Sequence, residues 1–226
     1  MKVSISQPTF LPWIGYFNMI KKSDVFVFLD NVKFKKQTWH MRNRLKSGSM
    51  IDESEIWAHI PTNLSKTDTM IKDVLIDNSQ DWKKKHLEIF QYNYGNSYQT
   101  IEFLTELYQK DWERIADFNI ELITKCCQYL EIETKLIRAS ELNVDGKKSH
   151  LILDICKHLN ADELIANSGS TNYLEEDKEI FENENIKISY HNFNPTRYNQ
   201  KGGIFIQNLS ILDLLFSEFE NSKNFI

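Results

Sequence analysis

The stretch KVSISQPTFLPWIGYFNMIKKSDVFVFLD, residues 2–30, reads as strand, loop, helix and strand. Val3 and Ile5 alternate with polar neighbours until Gln7-Pro8 stops the run, which predicts a first strand ending in a loop over 8–12. From Trp13, the apolar residues Ile14, Phe17 and Ile20, with Met19, follow helical spacing, and Lys21 and Lys22 close the segment with favourable C-terminal charge. Asp24 then introduces Val25-Phe26-Val27-Phe28-Leu29, a continuous apolar run that fits a strand buried on both faces and ended by Asp30-Asn31. Together these form a βαβ unit.

Working outward, residues 32–51 are basic and poor in turn-breakers, while 55–61 and 71–76 read as short, partly exposed strands whose pairing is open. Three helices follow over 81–94, 97–110 and 112–129, with Gly95 at a junction. Alternation then returns: strand 135–138, helix 149–159, strand 163–166, helix 173–182 and strand 187–190. A last helix over 210–219 has Ser210 as N-cap and Asp213 at the third position, the pattern of a capping box. The expectation is an α/β fold, a mostly parallel open sheet with flanking helices and a helical middle section. It forms one domain over 1–226 with a helical insertion or subdomain at about 80–131.

Composition narrows the function classes. A chain of 226 residues with 41% hydrophobic and 26% charged residues has ordinary globular usage, which excludes collagen-like and wholly disordered readings. The net charge of −5 argues against a nucleic-acid binder relying on bulk positive charge, so no stable nucleic-acid partner is expected. Residues 1–7 lack the apolar core of a signal peptide, and no run approaches the roughly eighteen apolar residues that span a bilayer. A cytoplasmic location is expected. Cys126, Cys127 and Cys156 suit neither a disulfide framework nor zinc spacing and read as reduced core thiols; no structural metal is expected.

Four stretches carry candidate chemistry. The first is Gln7-Pro8 through Trp13-Ile14-Gly15-Tyr16, placed where the first strand of an open α/β sheet ends and a helix begins, the crevice ligands favour. Gly15 costs up to about 1 kcal/mol relative to Ala in a helical turn, so it marks a close approach, by a substrate or by another backbone. The packing alternative is that the prolines and aromatics staple the helix to the sheet. The second stretch follows Asp30. From Asn31 through Ile51 there are six Lys or Arg, among them Lys35, Lys36, Arg42 and Arg44, and no carboxylate, which marks a local anion site or a solvated loop. Trp39 there offers a face to a base or sugar, His40 titrates near neutrality and Asn43 lies between the arginines.

The third stretch, Asn167-Ser168-Gly169-Ser170-Thr171-Asn172-Tyr173, is a donor-rich loop between a strand and a helix; such loops cradle phosphate or merely cap helices. The fourth, residues 190–209, gathers Tyr190, His191, Tyr198, Gln200 and Phe205 around Gly202-Gly203, as a lid over a ligand or as a structural loop. No dinucleotide fingerprint, Walker loop, His-Glu-x-x-His helix, nucleophile elbow or ligand-spaced Cys/His set occurs.

Residues 5–8 with Leu11-Pro12-Trp13-Ile14-Gly15-Tyr16-Phe17, residues 24–30, and Trp39 with Arg42-Asn43-Arg44 resemble the WbqC-like family of bacterial proteins. Ser168-Gly169 with Tyr173-Leu174, Phe181, Tyr190 with Phe193, Tyr198 with Gln200, and residues 209–216 resemble that family's C-terminal signature, so the likeness covers essentially the whole chain. Lys33 departs from it, standing where members more often have Gln. Members are associated with O-antigen and other surface-polysaccharide gene sets, which implies work on nucleotide-activated or lipid-linked sugars.

The fold implied is Rossmann-like and resembles that of nucleotidyltransferases of the His-x-Gly-His class, whose signature and Ser-rich phosphate loop fall where residues 13–16 and 168–171 stand. Trp13 and Tyr16 replace both histidines.

These readings meet in a transferase attaching an acyl or aminoacyl group to a nucleotide-linked amino sugar. Lys35, Lys36, Arg42 and Arg44 hold the diphosphate, residues 8–16 line the pocket, Trp39 flanks the sugar or base, and Asp30 or His40 is the base. A degenerate nucleotidyltransferase and a non-catalytic nucleotide-sugar binding module are the alternatives.

Overall fold

A computed structural model describes residues 1–48, 54–63, 68–201 and 204–226. The opening unit is β1 (Lys2–Ser6), α1 (Ile14–Lys21) and β2 (Val25–Phe28). The small elements β3 (Arg42–Lys46), β4 (Glu55–His59), β5 (Thr62–Asn63) and β6 (Leu75–Ile76) follow, then the helices α2 (Trp82–Tyr94), α3 (Glu102–Gln109) and α4 (Ile115–Tyr129). The chain then returns to alternation with β7 (Lys135–Arg138), α5 (Lys148–His158), β8 (Glu163–Ala166), α6 (Thr171–Glu176), α7 (Lys178–Glu182) and β9 (Lys187–Tyr190), and ends in α8 (Ile211–Glu218).

Five strands pair in parallel in the order β7-β2-β1-β8-β9, with Val3 opposite Val25 on one side of β1 and Leu164 on the other. Taken along the chain, these are the third, second, first, fourth and fifth strands of the sheet. The order reverses between β1 and β8, the switch point at which an open α/β sheet leaves a crevice beyond its carboxyl ends.

All four β2 residues are buried, and period-two geometry divides them. Phe26 and Phe28 join the core formed with α1, α4 and the helical section, and Val25 and Val27 join the core under α5 to α7. On β1, Val3 and Ile5 share the second core, while buried Ser4 meets Ser23 at 2.6 Å. Cys126, Cys127 and Cys156 are free and buried, and burial pushes the last two thiols up to about 12. Among the described residues no helix is long and apolar enough to cross a membrane.

Several local expectations change. The helix expected over 97–110 is a 3₁₀ stretch, Gly95–Thr100, followed by α3; Gly95 takes φ 63°, a left-handed turn that breaks α2. The helix expected from residue 112 begins at Ile115, because the preceding backbone pairs with residues 74–76: the Ile76 N–H donates to the Glu113 carbonyl at 2.9 Å and the Ile115 N–H to the Val74 carbonyl at 3.0 Å. Residues 71–76 form a 3₁₀ turn and the two-residue β6, not one strand. The helix over 173–182 is divided at Asp177 into α6 and α7. Within the basic stretch lies an unforeseen strand, β3, whose antiparallel partner β4 lies in the stretch whose pairing was open.

The capping box does not form. Ser210 caps α8 by accepting from the Leu212 N–H, but Asp213 is fully buried and turns away. It accepts instead from the hydroxyls of Tyr94 and Tyr198 at 2.5 and 2.6 Å. A buried carboxylate needs donors more than a helix end already capped needs a second acceptor.

Candidate functional site

Beyond the carboxyl ends of β1, β8 and β9 lies a cavity of about 510 Å³, within the range of small-molecule sites. It sits at the switch point. Ser6 and Thr9 enter from the end of β1, Pro12 and Trp13 from the loop, and Gly15, Tyr16 and Met19 from α1. The turn after β8 brings Asn167, Ser168 and Gly169; the turn after β9 brings His191, Asn192 and Phe193; Asn208 completes that side. Trp39, Asn43 and Arg44 close the opposite wall.

Residues 8–12 have no sheet partner, so their carbonyls need other donors. Buried Asn43 donates its amide to the carbonyls of Phe10 and Leu11, at 3.1 and 2.6 Å, and its own oxygen accepts from the Arg44 N–H. Buried Asn119 on α4 bridges the carbonyls of Pro8 and His40 at 3.1 and 2.9 Å. The Phe10 N–H donates to the Trp39 carbonyl at 2.7 Å. Loop, hairpin and α4 are therefore one hydrogen-bonded unit.

Gly15 has a reason visible only in three dimensions. A Cβ there would lie 2.2 Å from the indole of Trp13, which folds back across the first turn of α1. The close approach at this glycine is made neither by a ligand nor by another backbone but by that side chain. Trp13 in turn presents its ring edgewise to Phe193 at 6.0 Å.

The Arg44 wall carries the site's charge. Arg44 gives Nη1 to both oxygens of Glu55, at 2.8 and 3.0 Å, while its buried Nε has no partner. Strand register explains the neighbours: Arg44 is opposite Trp57 on β4, with Glu55 on the diagonal. The Trp39 and Trp57 rings stack at 5.9 Å and 23°, Arg42 lies 4.8 Å over Trp57, and Arg44 is 5.7 Å from the Trp39 ring. The opposite wall is uncharged amides and hydroxyls, and there Asn167, Asn192 and Asn208 make no side-chain hydrogen bond to another described residue.

His191 is half-buried in the lining, and its Nε2 meets Asn18 Oδ1 at 2.8 Å. Burial, then the nearby Lys22 charge, lowers it below the ordinary imidazole value, so it is neutral at pH 7. With an amide oxygen on Nε2, that nitrogen carries the proton and Nδ1 keeps a lone pair.

Of the residues singled out in the sequence, the cavity brings together Trp13, Gly15, Tyr16, Trp39, Asn43, Arg44, Ser168 and Gly169. It also takes in Pro12 of the first stretch, Asn167 of the third and His191 of the fourth, but not the other residues given a role. Asp30 is fully buried, and its carboxylate accepts from the Ser140 N–H and hydroxyl at 2.9 and 2.7 Å. His40 is buried between Thr38 and Gln7, at 2.6 and 2.9 Å, and burial lowers it to about 4. That contact also occupies Gln7, while buried Pro8 gives its carbonyl to Asn119.

Lys35 and Lys36 are exposed, and Arg42 covers the Trp57 ring, outside the lining. Ser170 donates to the Asn167 carbonyl, and Tyr173 packs on the second core. Tyr198 is tied to α8 by donating its hydroxyl to Asp213, and Gln200 donates to the Tyr198 hydroxyl and the Ile206 carbonyl. The lid reading also involved Gly202-Gly203, which lie outside the described residues.

Sequence reasoning reached Asn167 and His191 only as members of candidate loops and Phe193 only through the family resemblance, and it missed Asn192 and Asn208 as individual site residues and Trp57 as a neighbour. The available signal was position: residues just after β8 and β9 fall on the carboxyl rim.

The WbqC-like protein family model matches residues 7–225. A Mycobacterium tuberculosis (strain ATCC 25618 / H37Rv) protein, named Uncharacterized protein Rv1507c, is 28% identical over 222 residues, covering 96% of this chain and 93% of that one. No solved structure matches. With the family's features spread from the first strand's end to the last helix, the chain belongs to the WbqC-like protein family.

Proposed function

We propose that the chain is a transferase that binds a nucleotide-linked amino sugar in this cavity and attaches an acyl or aminoacyl group to the sugar's amine. One observation carries the reading: at the switch point of the sheet, one cavity joins an uncharged amide-and-hydroxyl wall to a wall bearing Arg44 and Trp39. Hydroxyls and amides both donate and accept, which suits a polyhydroxylated ring, whereas a guanidinium donates only and suits phosphate. The resemblance to proteins of surface-polysaccharide gene sets supports the same substrate class.

In the chemical step the amine attacks the carbonyl of the acyl thioester or aminoacyl ester; the amide C–N bond forms as the acyl–sulfur or acyl–oxygen bond breaks, the thiol or alcohol of the donor leaves, and the proton the amine sheds needs an acceptor near neutral pH. His191 takes this part: it lines the cavity, is neutral, and has Nε2 engaged by Asn18. Asp30 and His40 act as internal struts, since the partners of each already occupy the atoms a base would use.

The test is a panel of UDP-, dTDP- and GDP-linked amino sugars incubated with acyl thioester and aminoacyl donors and read by mass spectrometry. A sugar nucleotide heavier by one acyl group is the expected product. Calorimetry with the nucleotide sugars should show Arg44→Ala binding about tenfold or more weaker, the scale of a charge-assisted hydrogen bond. Absence of binding by every member of the panel would remove the reading.

The second reading, a degenerate nucleotidyltransferase, is favoured by the strand order and by Trp13, Tyr16 and Ser168 meeting in one cavity. Pyrophosphate release from a nucleoside triphosphate in the presence of sugar phosphates would select it. Binding without turnover in both assays would leave a sugar-nucleotide binding module.

A further inference from the structure

We infer that the stacked pair Trp39 and Trp57, at the mouth of the cavity, is the subsite for the heterocyclic base of a nucleoside diphosphate, with Arg42 and Arg44 as its cationic flank. This rests on the cavity taking a nucleotide-linked sugar and adds where the nucleotide end lies.

The two indoles are 48% and 44% exposed, although buried Trp82 shows that the fold has room to sequester such a side chain. The two indoles form an offset stack, 5.9 Å between centroids and 23° between planes, that leaves aromatic surface open to solvent. It is rigidly placed. Trp57 projects from the paired strand β4, and the Trp39 carbonyl holds the Phe10 N–H of the cavity loop. It is also continuous with the cavity, because Trp39 and Arg44 line both.

The surroundings choose between a base and a sugar. A sugar stacked on an indole needs several acceptors for its hydroxyls, but the groups beside these rings are mainly guanidiniums, which only donate; Glu55 has both oxygens on Arg44, and His59, opposite Arg42, offers at most one ring nitrogen. A flat π-system tied to phosphates matches them better: aromatic stacking tolerates any base, and the positive flank meets the anion. Acceptors for hydroxyls lie on the opposite wall instead, where Asn167, Asn192 and Asn208 stand. A ligand spanning the site then runs from base on the hairpin, through phosphates near Arg44, to sugar against the asparagines.

The experiment is calorimetric titration of the full chain and of Trp39→Leu, Trp57→Leu and Arg42→Ala, each checked for native circular dichroism. The probes are UDP, ADP and GDP, and, as a base-free control, N-acetylglucosamine 1-phosphate. At least one nucleoside diphosphate should bind tenfold or more tighter than the control. Either tryptophan variant should weaken it about tenfold with the control unchanged, and Arg42→Ala should weaken it several-fold.

Equal weakening of both probe types by the tryptophan variants, weakening of the sugar phosphate alone, or unchanged nucleotide binding in the variants would overturn the inference. So would a sugar phosphate that binds while every nucleoside diphosphate fails, which leaves the cavity reading standing. Failure of both probe types would remove the two together. If one tryptophan variant loses its native spectrum, the other and Arg42→Ala decide.

Discussion

The two walls of the cavity are built by different means. One consists of strand ends: Asn167 and Ser168 follow β8, and His191 and Asn192 follow β9, so parallel pairing alone brings them to one rim. The other is a two-stranded ribbon, β3 with β4, in which charge and aromatic surface are set by cross-strand register. The first wall is neutral and the second is cationic. The parallel sheet supplies the crevice, and the appended ribbon supplies the charged and aromatic groups that the proposed function assigns to ligand selection.

The walls meet at a seam of buried polar groups, and the largest expected effects fall there. His40 and His86 are buried, and burial lowers each from 6.5 to about 4; His86 stacks on Phe10 of the cavity loop. The unfolded chain protonates these rings near 6.5 while the folded chain resists until about 4, so acid favours unfolding. At about 1.4 kcal/mol per pH unit, each histidine contributes about 3 kcal/mol that is fully present above pH 6.5 and lost as pH falls toward 4. Urea unfolding from pH 7 to 4 should show this slope, and His40→Gln should flatten part of it. A level profile would mean the seam is open to water.

Asn43→Ala comes next. It leaves the carbonyls of Phe10 and Leu11 buried without a donor, at about 1–3 kcal/mol for each group. A loss of about 3 kcal/mol by chemical denaturation, with ligand affinity falling too, would show that the seam joins both walls; lost affinity alone would not. Gly15→Ala should cost about 1–3 kcal/mol, the range for overpacking, because its methyl meets the Trp13 indole. Trp fluorescence should shift with it, and an unchanged melting curve would place Trp13 elsewhere.

Smallest is Asn167→Ala. It should leave stability untouched and weaken a nucleotide-linked amino sugar a few-fold, about one neutral hydrogen bond, without altering the affinity of a nucleoside diphosphate. Loss of both ligands alike would erase the division between the walls.

The same division governs what the sequence could reveal. The βαβ unit and the returning α/β alternation were legible because both-face burial writes itself as apolar runs such as residues 25–29. The first wall followed once strand order was known, though not before: nothing in Asn192 or Asn208 alone marks a site. The hairpin was hidden. Its strand Arg42-Asn43-Arg44-Leu45-Lys46 buries Asn43 and Lys46 through hydrogen bonds instead of apolar alternation, so the hydrophobic pattern on which a strand assignment depends is missing. Asp30 and His40 were chosen for residue type and position, and only partners such as Ser140 and Gln7 reveal what they do. His191 was visible as a residue of the last loop, but its neighbour Asn18 lies 173 positions away in the chain.

Diffraction from crystals soaked with a UDP-linked amino sugar that binds in solution bears on the account most directly. The expected difference density fills the cavity at the β1–β8 switch point, with phosphate within hydrogen-bonding distance of Arg44 and the sugar against Asn167 and Asn192. Density on another face of the molecule, or phosphate turned away from Arg44 toward Lys35 and Lys36, would contradict it.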